Sequence, residues 1–209
     1  AKVLCPDKKV LVPDMAAGCS LADSCPADQF AQFCQRTPGI HRYFVRQHNS
    51  CRESSDRCGG DFTNANRSWK VSPKMRNNLG PDRNLGNYIN SVTNRNMLLW
   101  DGACHVHEQF SVEKDRGAES AAFRKHWCWH IPNAKSTVLK LADVVGSTAA
   151  LLKYAVNHPE NTYIVATESG ILHEMQKKCP QTTFIPAPPN DSTCGCNECS
   201  FMRLNTVRE

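Results

Sequence analysis

The densest group of potential ligands is CGCNEC, which places Cys194, Cys196 and Cys199 close together. Adjacent thiolates suit a soft metal, either zinc or an iron–sulfur cluster. A four-coordinate zinc site wants a second ligand pair, and no earlier CxxC occurs in the chain. A second group, CHVHEQF, holds Cys104, His105, His107 and Glu108. In extended backbone the two histidines face one way. A metal pair and a polar loop with one functional residue both remain open there. The third is Gly146-Ser147-Thr148, between two helical patterns. Its amides and hydroxyls suit a carboxylate or phosphate at the start of the second helix. Ser147 also reads as a plain N-cap. Cys5, Cys34, Cys51, Cys58, Cys128 and Cys179 read as core or incidental thiols. The sequons at Asn66 and Asn190 carry weight only in a secreted chain.

These groups need elements to position them. Lys9–Val12 reads as a buried strand closed by Pro13, and Asp28–Arg36 as a helix with Phe30, Phe33 and Cys34 on one face. Residues 37–78 lose periodicity, and so do residues 113–135. Between them lie GPDRNLGNYI and the strand Met97–Trp100. STVLKLADVVGS reads as a helix ending near Gly146, and Thr148–Asn157 as the next. Then come strand Tyr163–Ala166, helix GILHEMQKKC and strand TTFIPA. The alternation predicts an α/β fold with parallel sheets. Strands centred near Leu11, Leu98 and Phe184 are 87 and 86 residues apart. Each is followed by a cysteine-bearing loop, with Cys19, Cys104 and Cys199 in turn. That predicts an internal repeat of about 87 residues. Loops at the carboxyl ends of parallel strands carry sites, so the three loops can converge.

At 209 residues the chain fits one or two domains of roughly 150 residues. Three repeats would need more, so the expectation becomes two units and a partial third. The net charge of +5 is scattered, with no block of five Lys/Arg, which argues against nucleic acid. No apolar run approaches a membrane span of about 18 residues. The start, AKVLCPDKKVLVPD, has no signal-peptide layout and no Met, so the chain is expected to be entered partway. Twelve cysteines without an export signal read as cytosolic thiols, some of them metal ligands.

Taken together, the strings resemble the bacterial quinolinate synthase family, iron–sulfur enzymes of NAD biosynthesis. They are AKVLCPDKKVLVPDMAAGCSLADSCPADQFAQFC, GPDRNLGNYI, MLLWDGACHVHEQF, STVLKLADVVGSTAALLKYA, IVATESGILHEMQKKCP and CNECSFMRLNT, in the family's order. The resemblance implies three pseudo-symmetric three-layer α/β domains with short parallel sheets. It divides the chain into 1–79 (a partial first domain), 80–165 (the second) and 166–209 (the remainder of the third), with 1–14 packing near the last. It implies a [4Fe–4S] cluster on Cys19, Cys104 and Cys199, with one iron open as a Lewis acid. The implied reaction condenses iminoaspartate with dihydroxyacetone phosphate to quinolinate. It also implies a cytoplasmic transferase functionally linked to L-aspartate oxidase. Thr148 resembles a substrate-carboxylate contact. Ser200 stands where the family usually has Pro.

The resemblance fails in 38–78 and 113–135. Ungapped alignment puts a family substrate Asn on Asn49, and a family Thr-Ser pair on Thr63 and Asn64. Ile131, Pro132 and Asn133 stand where the family has His-Pro-Glu. No catalytic residue is therefore assigned; the substrate candidates are Thr148, Asn49 and Asn64. Codons permitted for WHIPNAK, shifted by two nucleotides, read AHPECQ. Codons permitted for HRYFVRQHNSCRES, shifted by one, read IVISYVNTTAAVKA. Both restore family strings in place, so compensating frameshifts are expected in the gene or its sequencing. The stretches as written are expected to lack needed strands and to put Arg, Cys and Trp where a core belongs. The 209-residue chain is then expected to be inactive. The competing expectations are a decayed-gene product that at most binds a cluster or zinc, and a zinc module built on CGCNEC.

Overall fold

A computed structural model describes residues 5–11, 13–36, 41–45, 57–60, 77–110, 127–159, 161–188 and 197–206. Two short helices come first, α1 (Ser20–Asp23) and α2 (Ala27–Gln35). The first sheet then takes β1 (His41–Val45), β2 (Arg57–Gly60), β3 (Asn77–Gly80) and β4 (Leu98–Leu99), with α3 (Arg83–Thr93) between the last two. After α4 (His105–Glu108) the second sheet takes β5 (Trp127–His130), β6 (Val144–Val145), β7 (Thr162–Ala166) and β8 (Thr183–Pro186). Its helices are α5 (Ser136–Leu139), α6 (Thr148–Asn157) and α7 (Ile171–Lys178), and a 3-10 turn follows at Met202–Leu204. The fold is α/β with short parallel sheets.

Both sheets have the same order, β2-β1-β3-β4 and β6-β5-β7-β8, and every pairing is parallel. Matching strands begin 86, 87, 85 and 85 residues apart (His41 to Trp127, Arg57 to Val144, Asn77 to Thr162, Leu98 to Thr183). Of the three strands on which the 87-residue repeat was read, those at Leu98 and Phe184 are the matching edge strands β4 and β8, whereas the segment at Leu11 is no strand, so the structure carries the second interval and not the first. The boundaries 79/80 and 165/166 pass through β3 and β7.

Three expectations change. The strand expected at Lys9–Val12 is absent over Lys9–Leu11, where Leu11 is 90% exposed and no strand lies alongside among the described residues; Val12 lies outside them. A ladder needs a partner, and the lysines before it and Pro13 after it suit an exposed segment better. The long helix in STVLKLADVVGS stops at Leu139. The Asp143 amide donates to the Cys128 carbonyl, and its carboxylate accepts from the Cys128 amide at 2.7 Å. That draws Val144–Val145 onto β5 as β6. The irregular stretches do carry strands, since β1, β2 and β5 fall inside them. Parallel ladders use backbone groups that any sequence supplies. β5 in addition gains Trp129, which is fully buried and stacks on Tyr163 with ring centroids 3.7 Å apart.

β7 shows why the second sheet is stable. Tyr163 and Val165 face a cluster with Trp129, Leu151, Ala155 and Met175. Ile164 and Ala166 face another with Phe110, Ala134, Val138 and Ala187. A parallel strand covered on both faces needs such a continuous apolar run. In the first unit α3 packs Leu85 and Ile89 on Leu79 and Met97. Its start is capped by Asp82, whose Oδ1 accepts from the Asn84 amide at 2.9 Å and the Leu85 amide at 3.1 Å. Its end turns on Asn94 at φ 53°, a conformation Asn tolerates.

Trp129→Ala should cost about 3–5 kcal/mol in urea unfolding, because it leaves a cavity between Tyr163, Tyr154 and Phe184. A cost below about 1 kcal/mol would show that β5 is not core. His130 gives a pH test. Burial lowers its pKa to about 4. Between pH 6.5 and about 4 the unfolded chain binds a proton that the native chain refuses, so stability held above pH 6.5 is lost on acidification. Asp82 acts oppositely: burial raises its pKa to about 6, so it adds stability as pH falls through 6 toward 3.8. His130→Leu removes only the first effect. The variant should gain on its parent as pH drops from about 7 to 4; a constant difference contradicts the buried neutral ring.

Candidate functional site

Each of the three cysteines stands in front of a tight turn. The Asp23 amide donates to the Cys19 carbonyl at 2.9 Å, Glu108 to Cys104 at 3.1 Å, and Arg203 to Cys199 at 3.1 Å. Cys19 and Cys104 are the N-cap positions of α1 and α4, in extended backbone. All three are thiols of intermediate exposure.

Contacts tie the three turns together. Ser20 Oγ and His105 Nδ1 are 2.7 Å apart, and the His105 amide donates to the same oxygen at 3.4 Å. The His105 ring meets the edge of Phe201, with centroids 5.7 Å apart. These are neighbours of Cys19, Cys104 and Cys199 in turn. The Cys19 segment is anchored again where Trp100 Nε1 donates to the Ser24 carbonyl at 2.9 Å, while its ring packs on Phe30 and Phe33. The Cys199 segment is held where the Ser169 amide donates to the Asn197 carbonyl at 3.0 Å and Asn197 Nδ2 to the Ala187 carbonyl.

Burial pushes the Cys104 thiol up; the His107 and Val106 amides aimed at it work the other way. Amides directed at sulfur are the kind of group that stabilises a bound thiolate and tunes a cluster. Asp82 and Cys19 are close enough to add negative repulsion. No three His, Cys, Asp or Glu side chains are grouped for a single metal ion among the described residues. A cluster binds its cysteines through different irons, so its ligands stand farther apart than those of one ion. Three thiols on three convergent turns fit that donor set.

Behind Cys104 lies a polar network that the sequence reading missed. Glu108 accepts from Asn84 Nδ2 at 2.6 Å and Arg83 Nη2 at 3.1 Å, and pairs with Lys135 Nζ at 3.5 Å. Asn133 Nδ2 donates to Asp82 Oδ2 at 2.5 Å. Asp82 before an apolar helical pattern is a readable cap; its contact with Asn133, 51 residues on, had no local signal. His107 is half-buried with both ring nitrogens shielded, stacks on Phe110 and is held neutral, its pKa lowered to about 4 by desolvation. Thr148 opens α6, capped by Ser147 accepting from the Ala150 amide at 3.2 Å. Asn49, Asn64, Cys194 and Cys196 lie outside the described residues.

A family model described as Quinolinate synthetase A protein matches residues 1–209. The chain belongs to that family. Curated relatives named quinolinate synthase are similar along its whole length. They include those of Thermosynechococcus vestitus (44% identical), a Synechococcus species (42%) and Chloroherpeton thalassium (41%). Each alignment covers all of this chain and 66%, 65% and 65% of the respective relative, so the chain spans slightly less than two thirds of their length. No described helix is long and apolar enough to cross a membrane.

Gly102 makes the approach to Cys104 possible. A Cβ there would lie 2.5 Å from both the Pro81 carbonyl oxygen and Ser24 Oγ. Gly102→Ala should therefore cost about 1–3 kcal/mol. Unchanged stability with an unchanged Cys104 alkylation rate would show that the two segments are not held this closely.

Proposed function

We propose that this chain carries the cluster site of a quinolinate synthase, a transferase of NAD biosynthesis, with Cys19, Cys104 and Cys199 holding a [4Fe–4S] cluster. The observation that supports it most is the chain of contacts Ser20–His105–Phe201, which draws three separate cysteine turns together. When bound, the cluster supplies an iron open to a substrate oxygen, a Lewis acid for loss of water. The protein's own part is to hold three thiolates and leave that coordination position free.

The substrates in this reading are iminoaspartate and dihydroxyacetone phosphate, the first supplied by an L-aspartate oxidase, in the cytoplasm. Thr148 at the start of α6 offers a hydroxyl and helix amides to a substrate carboxylate. Asn49 and Asn64 are the further substrate candidates. The division into 1–79, 80–165 and 166–209, each contributing one cysteine, belongs to the same proposal.

Anaerobic reconstitution with iron and sulfide tests it. The expected result is a broad absorption band near about 400 nm and four irons per chain, lost in Cys19→Ala, Cys104→Ala and Cys199→Ala. Thr148→Ala keeps the band and weakens substrate binding by about tenfold or more. Stoichiometric zinc with indifference to Cys19→Ala overturns the reading in favour of a zinc module on CGCNEC. A full cluster without quinolinate formation identifies a chain that binds but does not turn over.

A further inference from the structure

Asp82 and Glu168 occupy matching places, 86 residues apart. Each comes two residues after its strand, β3 or β7. Asp82 caps α3, accepting from the Asn84 and Leu85 amides, and Glu168 stands just ahead of α7, its Oε2 accepting at 2.9 Å from the amide of Gly170, the residue that begins that helix. The next residue along then ties down the approach to a cysteine. The Arg83 amide donates to the Gly102 carbonyl at 2.8 Å, and the Ser169 amide to the Asn197 carbonyl at 3.0 Å. Gly102 and Asn197 each stand two residues before a cysteine of the site.

The two carboxylates differ by one methylene. Asp82 directs Oδ1 to its helix and Oδ2 to Asn133. Glu168 reaches farther: while Oε2 holds the helix start, Oε1 accepts from the Cys199 amide at 3.4 Å. In the first unit the turn of Cys104 is secured from behind by Glu108, through Asn84, Arg83 and Lys135. In the second, a carboxylate reaches the cysteine's own backbone.

We propose that Glu168 is a positioning residue that fixes the backbone of Cys199 and so aims its thiol at the common site. The contact itself does not require a cluster; only its consequence in the loaded protein rests on that reading. Glu168→Asp keeps the charge and an acceptor for the Gly170 amide but falls one methylene short of Cys199.

The test measures iodoacetamide labelling of the metal-free chain, resolved for Cys19, Cys104 and Cys199 by peptide mass spectrometry. In Glu168→Asp, Cys199 should label several-fold faster, with the other two rates and the thermal midpoint unchanged. Glu168→Gln keeps the length and a carbonyl acceptor, and should hold Cys199 near the parent rate. Equal Cys199 rates in the parent and Glu168→Asp overturn the proposal. So does an equal rise at all three thiols in both variants, which marks a general loss of fold. In the reconstituted chain, Glu168→Asp should release iron to a chelator several-fold faster and alter the electron paramagnetic resonance spectrum of the reduced cluster. A chain that takes up no iron refutes the cluster reading, while the labelling rates still decide the role of Glu168.

Discussion

The buried carboxylate of Asp82 joins the two units. It is fully shielded from water. An ion in that position costs several kcal/mol unless donors replace its hydration. Three N–H groups do so: two amides at the start of α3 and the Asn133 side chain from the loop after β5. Burial still outweighs them, so the acid is held near pKa 6. One side chain thus begins a helix of the first unit and fastens a loop of the second. Its backbone also bridges to Gly102, which fixes the run into Cys104. Move Asp82, and the turn of Cys104 loses its reference to both sheets.

For Cys104 and Cys199 the placement follows from topology, while the Cys19 turn is brought to them by contacts. Two sheets of the same strand order deliver their loops at the carboxyl ends of parallel strands. β4 leads into the turn of Cys104, and β8 into the segment that carries Cys199. Loops in that position face one crevice in α/β sheets. The helices behind them are short, four residues in α1 and in α4. A single helical turn has little stability of its own. The turns are therefore held from outside, by Ser20 on His105, by Phe201 on the His105 ring, and by Glu108 on Asn84.

Much of this was legible where local pattern and tertiary demand agree. Thr148–Asn157, Tyr163–Ala166 and GILHEMQKKC carry clean periodicity, and the helices and strands fall within a residue or two of it. One interval of the repeat was legible, from Leu98 to Phe184, because both lie in edge strands of sheets with the same order. Lys9–Val12 misled because three apolar residues in a row state a preference but not a partner. Val144–Val145 misled for the opposite reason: its helical context was sound, but Asp143 bonds the backbone of Cys128 and ends the helix. At the site, the turns that begin at Cys19, Cys104 and Cys199 are linked through Ser20, His105 and Phe201, contacts that no local pattern states. Nothing local announced the pairings of Glu108 with Asn84, Asn133 with Asp82 or Lys135 with Glu108, because the partners lie 24 to 51 residues apart.

The irregular stretches show that a parallel sheet forms without a regular hydrophobic pattern in its strands. RCGG and HRYFV pair in register because the ladder is made of backbone. WCWH does the same beside β7 and contributes a large aromatic that its neighbours can stack on. The cost appears in polar atoms. Trp129 Nε1 and His130 Nδ1 are both buried with no hydrogen-bond partner among the described residues. Each such atom costs about 1–3 kcal/mol. A strand selected for this place would be apolar on both faces, as β7 is. Local sequence and global fold thus disagree at Trp127–His130, where two buried polar atoms stand in the core without partners among the described residues.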